Sequence, residues 1–169
     1  ERSFTELLQP LGYNQSAPIG FLITVKAITT VLGINDYTLR LLPLISGFIT
    51  IALVYWVTKQ VNSYSIPLAM GLIATSPYHI FYATEFKQYG LDVTLTLLYM
   101  AYAIKLTQTP TQKGITILAV IGGMGVWFSH PMIFVLAGVG SVLWLNAIFR
   151  RDWGLFRQLT LMGIIQALS

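Results

Sequence analysis

The residues best equipped for chemistry lie in one run, Ser76-Pro77-Tyr78-His79-Ile80-Phe81-Tyr82-Ala83-Thr84-Glu85-Phe86-Lys87-Gln88-Tyr89-Gly90-Leu91-Asp92, in a chain of which only 9% is charged. An acid, an amide and a phenol can orient the hydroxyls of a sugar, and a lysine can meet a phosphate. Charges at a membrane boundary are expensive to desolvate, so a sparsely charged chain that gathers Glu85, Lys87 and Asp92 together is expected to use them. With a helix starting near Thr84, Glu85, Gln88, Tyr89 and Asp92 follow at offsets of three, four and seven and share one face, while Lys87 points elsewhere. On a plainer reading Glu85 complements a positive helix start and Lys87 snorkels to headgroups. Asp92, a turn further into an apolar stretch, fits that reading less well.

Histidines offer a second chemistry. His79 and His130, with Glu85, have the ligand types for a divalent metal, although no two lie close in sequence and a histidine beside a chain reversal is more simply a satisfied polar residue. No other cofactor is implied, and the absence of cysteine excludes disulfides and thiolate metal sites. Gly122, Gly123, Gly125, Gly138 and Gly140 lie inside apolar runs, where they suit close helix packing better than a phosphate loop.

The elements that must position these residues follow from composition. With 55% hydrophobic and 13% aromatic residues, the chain falls outside the range of soluble domains. The sequence predicts an all-α, polytopic transmembrane bundle, because several uncharged runs reach the roughly 20 residues that a helical crossing needs. The crossings are expected at about 41–58, 66–82, 91–106, 115–129 and 132–149, with a further one starting at 159 and too short to span. Ser129-His130-Pro131 is placed at a tight reversal between two of them. Residues 1–40 read as the end of an outer loop in which an interfacial helix runs from Pro18 to a stop at Gly33. Neither terminus looks natural, so the chain is expected to be part of a longer protein.

Connecting five crossings sorts the charges. Lys59, Lys105, Lys113, Arg150, Arg151 and Arg157 share one side with Asp152 as its only acid, and every other acid lies on the opposite side with Arg2, Lys26, Arg40 and Lys87. Short loops rich in lysine and arginine favour the cytoplasm, so the Glu85 run, His79 and His130 are predicted to face outward. The net charge of +4 is scattered over loops rather than gathered on one face, which argues against nucleic acid as a partner. Arg40, at the start of the first crossing, is a candidate to hold the phosphate of a lipid-linked substrate or simply to meet headgroups.

Taken in order, Gly12-Tyr13-Asn14-Gln15-Ser16-Ala17-Pro18, Leu32-Gly33, Tyr37-Thr38-Leu39-Arg40-Leu41-Leu42-Pro43, Ser76-Pro77 and Glu85-Phe86-Lys87-Gln88-Tyr89 resemble the family 39 type of GT-C glycosyltransferases. These are similar to the protein O-mannosyltransferases and the lipid A aminoarabinose transferases. The resemblance implies an enzyme of the bacterial inner membrane that moves a sugar from a polyprenyl-phosphate carrier to a glycan, lipid or protein acceptor at the periplasmic face. It implies a catalytic aspartate in a loop that would precede Glu1, leaving Glu85 and Asp92 as supporting groups. Arg40, Lys87, Gln88, Tyr89, Asn14, Gln15 and His79 are the expected substrate contacts. Some relatives carry an acidic-basic pair where this chain has Asn14 and Gln15, and many carry arginine where it has Lys87, which keeps the charge without the bidentate fork. The alternative is a polytopic transporter or flippase subunit, disfavoured because the charges cap the crossings at one face instead of lining the midplane.

Overall fold

The computed structural model describes residues 17–168, and its regular structure there is entirely helical. Helix α1 (Ile19–Leu32) opens after Pro18, whose ring presets the backbone, and ends at Gly33, which takes a φ of 81° that side-chain-bearing residues rarely adopt. Helix α2 (Asp36–Val61) starts five residues before the predicted crossing. Its cause is a capping box: Thr38 N–H donates to the Asn35 side chain at 3.0 Å and Asn35 N–H donates to the Thr38 hydroxyl at 3.1 Å. Arg40 therefore sits inside α2 rather than at its opening.

The segment expected as one crossing over 66–82 is broken. A short 3-10 turn (Ser63–Ser65) leads into α3 (Ile66–Ala74), which stops before α4 (Pro77–Thr84). Pro77 causes the break, because a proline pushes the residue before it out of the helical region and offers no N–H. Ser76 is accordingly extended and caps α4 by accepting from His79 N–H at 3.3 Å. Helix α5 (Tyr89–Gln108) follows, then α6 (Gln112–Phe128) capped by Thr111, and α7 (Met132–Phe149) after the non-helical Ser129-His130-Pro131. Helix α8 (Trp153–Ala167) begins well before the predicted 159, since Asp152 accepts from Leu155 N–H at 2.9 Å and caps it there.

Helices α2 and α5 run parallel. Small and polar residues hold them together: the Thr50 hydroxyl lies 2.8 Å from that of Thr94, and Thr94 donates to the Ser46 carbonyl across the interface at 3.0 Å. At the far end Gln108 donates to the Gln60 carbonyl at 3.2 Å, and between these points Trp56 and Tyr102 meet edge to face at 5.2 Å. A second, apolar cluster joins α5 to α8 through Tyr99, Leu118, Met132, Leu143, Leu159 and Met162. Gln166 of α8 reaches through it to the Leu118 carbonyl of α6 at 3.0 Å.

Exposure along α2 is inverted relative to a helix that packs against a core from water. Ser46, Gly47 and Thr50 are buried, whereas Leu44, Ile45, Phe48 and Ile49 are exposed. Helices α2 and α7 are long and apolar enough to cross a membrane, yet only 28% and 17% of their apolar windows are buried.

Candidate functional site

One end of the bundle collects the starts of α2 and α5, the end of α4 and the α6–α7 turn. Gly90 lets α5 approach α2 and α4, since a Cβ there would lie 3.0 Å from the Ser46 hydroxyl and 3.4 Å from the Tyr82 carbonyl. Gly47 lets α4 approach α2 in the same way, against Ala83 and the His79 ring. Helix α1 is fastened to this end through Gly20, packed on the Trp127 carbonyl, and through Phe21, whose ring stacks on Phe86 at 5.7 Å.

The predicted helical face that joined Glu85 to Asp92 is not formed. Helix α4 ends at Thr84, and Glu85 is its extended C-cap, with N–H donating to the Phe81 carbonyl at 3.0 Å. Lys87 N–H then turns back to the Glu85 carbonyl at 2.8 Å, so the chain folds tightly before α5 begins. The reason is local: Thr84 donates to the Phe81 carbonyl at 2.9 Å, competing with the helical ladder at the place where a start was expected. Gln88, Tyr89 and Asp92 do keep their helical relation, because Asp92 N–H donates to the Gln88 carbonyl at 3.1 Å. Tyr89 packs edge to face on Tyr82 at 5.0 Å.

Asp92 meets two residues that spacing did not connect with it. Its half-buried carboxylate lies beside the Ser129 hydroxyl and within electrostatic reach of His130, both from the α6–α7 turn. Ser129 is fully buried, and its hydroxyl and Asp92 Oδ1, which solvent does not reach, face each other without a well-formed hydrogen bond. A small shift closes a bond between the two, and a molecule that both donates and accepts could take up both once the α6–α7 turn opens. Sequence reading placed Ser129 at the reversal but gave it no role, since nothing in one dimension pairs it with Asp92.

The remaining candidates are more dispersed. Lys87, Tyr89, Arg40 and His130 are exposed, and Glu85 and His79 are half-buried. Arg40, Glu85 and Lys87 make no side-chain hydrogen bond or ion pair among the described residues. His79 turns toward Gly47 of α2, and among the described residues no three of His, Asp and Glu converge as a metal would require, so the His79–His130–Glu85 set is not assembled. Asn14 and Gln15 lie outside the described residues. Compared with protein families, with curated proteins and with solved structures, the chain matches none.

Proposed function

We propose that the chain is a multi-pass membrane segment of a glycosyltransferase that moves a sugar from a polyprenyl-phosphate carrier to an acceptor at the periplasmic face of a bacterial inner membrane. The observation that carries this reading is the Asp92–Ser129 pair. A sugar hydroxyl both donates and accepts, so one hydroxyl can donate to Asp92 Oδ1 while accepting from Ser129 when the α6–α7 turn opens to admit it, since both atoms are closed to solvent here. Gln88 and Tyr89 precede Asp92 at the start of α5, and the exposed Arg40 and Lys87 supply charge for a phosphate.

The membrane part of the reading is supported by the inverted exposure of α2 and the low burial of α2 and α7, since the central helix of a soluble core is mostly buried. Parallel α2 and α5 with a returning segment between them also suit the predicted sorting of charges, with Lys59, Lys105, Lys113 and Arg150 at the end away from Asp92. Cysteine introduced singly at positions 16, 79, 113 and 150 tests this in a chain that has none of its own. An impermeant thiol reagent applied to intact cells is expected to label 16 and 79 and to spare 113 and 150. Labelling at 113 without labelling at 16 reverses the orientation and removes the argument for an outward site.

The carrier is tested through its phosphate. Arg40→Gln and Lys87→Gln are each expected to weaken binding of a polyprenyl-phosphate sugar by about 1.5 to 3 kcal/mol, the usual worth of a hydrogen bond to a charged group. Unchanged affinity in both folded variants assigns the two residues to headgroup anchoring alone. The interruption between α3 and α4 is the one observation that favours a transporter, in which discontinuous helices form substrate sites. Substrate flux across vesicles without sugar transfer decides for that reading.

A further inference from the structure

Between α7 and α8, from beside the α6–α7 turn to Trp144 and Thr160, lies an apolar groove of about 660 Å³. Its walls include Ala137, Gly140, Ser141, Trp144, Thr160 and Gly163. The space belongs to the backbone and not to one rotamer, because a Cβ on Gly140 or Gly163 would meet nothing within 4 Å. Aromatic rings mark the groove's end toward the α7–α8 turn: Trp144 stacks on Phe156 at 4.9 Å, Trp153 meets Phe156 edge to face at 5.8 Å, and the Trp144 indole donates to the Thr160 hydroxyl at 2.9 Å.

Beyond those rings the chemistry changes from apolar to basic. Arg157 precedes Thr160 and Ile164 by three and seven residues on α8, so it continues the face that lines the groove. Arg150 and Arg151 follow the end of α7, and Arg151 is held in a left-handed conformation with φ of 55°. Asp152, the nearby acid, is engaged in capping α8, and the three arginines are exposed. An apolar channel, a belt of tryptophans and an uncompensated cluster of arginines, in that order, complement an acyl chain, a glycerol region and an anionic phosphate.

We infer that the α7–α8 groove binds an anionic phospholipid, with an acyl chain between Gly140 and Gly163 and the phosphate on Arg151 and Arg157. A polyprenyl-phosphate substrate fits this groove less well, since its phosphate would sit at the mouth beside the α6–α7 turn, where the lining from Ile133 to Ala167 carries no lysine or arginine. The inference rests on the membrane reading above and is independent of sugar transfer.

Native mass spectrometry of the chain purified from membranes, offered phosphatidylglycerol and phosphatidylcholine of equal chain length, tests it. Phosphatidylglycerol is expected to be retained preferentially. Arg151→Gln and Arg157→Gln are each expected to reduce that preference about fivefold, following the attraction of one arginine near an anionic surface. Lys113→Gln, a charge change away from the groove, is expected to leave it unaltered. Filling the open space with Gly140→Leu and Gly163→Leu is expected to displace the lipid although all three arginines remain. Equal retention of the two lipids, undiminished phosphatidylglycerol in the filled groove, or preferential retention of polyprenyl phosphate overturns the assignment. The arginine variants alter exposed side chains only, so they decide the matter even where the glycine variants fold poorly. Release of the chain by alkaline carbonate defeats the membrane reading itself, whereas an integral chain without headgroup preference defeats the lipid site alone.

Discussion

On the proposed reading as a sugar transferase, Asp92→Asn is expected to lower transfer about ten- to hundredfold while the protein remains inserted and monodisperse. The expectation comes from the carboxylate's place facing the Ser129 hydroxyl, where a sugar hydroxyl entering between them would take a charge-assisted hydrogen bond. Losing one charge-assisted hydrogen bond costs about 1.5 to 3 kcal/mol, which is the stated range in rate. Glu85→Gln acts from a separate, partly exposed position and is expected to have a smaller effect. Both are supporting groups on this reading. The assay is transfer from a polyprenyl-phosphate sugar. Full activity in Asp92→Asn removes the pair from the site.

Gly20→Ala is expected to produce a large loss of stability from a single methyl group. The added Cβ would lie 2.7 Å from the Trp127 carbonyl oxygen and 2.9 Å from the Phe128 ring, and a backbone oxygen has no rotamer to escape into. Overpacking of this kind costs about 1 to 3 kcal/mol, here concentrated on the seam between α1 and α6. Gly138→Ala provides the contrast, because that position opens on empty space and alanine gains up to about 1 kcal/mol of helix propensity. Thermal unfolding in detergent is expected to rank Gly138→Ala at or above the parent and Gly20→Ala well below it. Equal midpoints for the two variants would mean that α1 is not docked on α6.

Helix formation was legible in the sequence because long uncharged runs, proline and glycine signals and the reversal at Ser129-His130-Pro131 are local properties. The errors were also local and came from hydrogen bonds weaker than hydropathy. The Asn35–Thr38 box and the Asp152 cap lengthened two helices into polar sequence, and Pro77 divided a stretch whose hydropathy is continuous. At the site, the candidate residues on α5 were found because they adjoin in sequence, and Glu85 was grouped with them for the same reason. Ser129 could not be found in that way. Its relation to Asp92 depends on α6 returning to the start of α5, which no spacing within either segment encodes.

The inverted exposure of α2 also bears on how stability responds to temperature. Curvature in a protein's stability arises from apolar surface that becomes hydrated on unfolding. In a bilayer, the residues that dominate such surface, Leu44, Ile45, Phe48 and Ile49, are already outside the bundle and exchange one hydrocarbon contact for another when helices part. The interface that opens is made at one end of Ser46, Thr50, Gly90 and Thr94, which expose little carbon, and farther along of Trp56 on Tyr102, whose rings also pass to hydrocarbon. Separation of α2 from α5 in lipid therefore carries a small heat-capacity change, and its free energy falls almost linearly on heating, without the cold-side maximum of a water-soluble core.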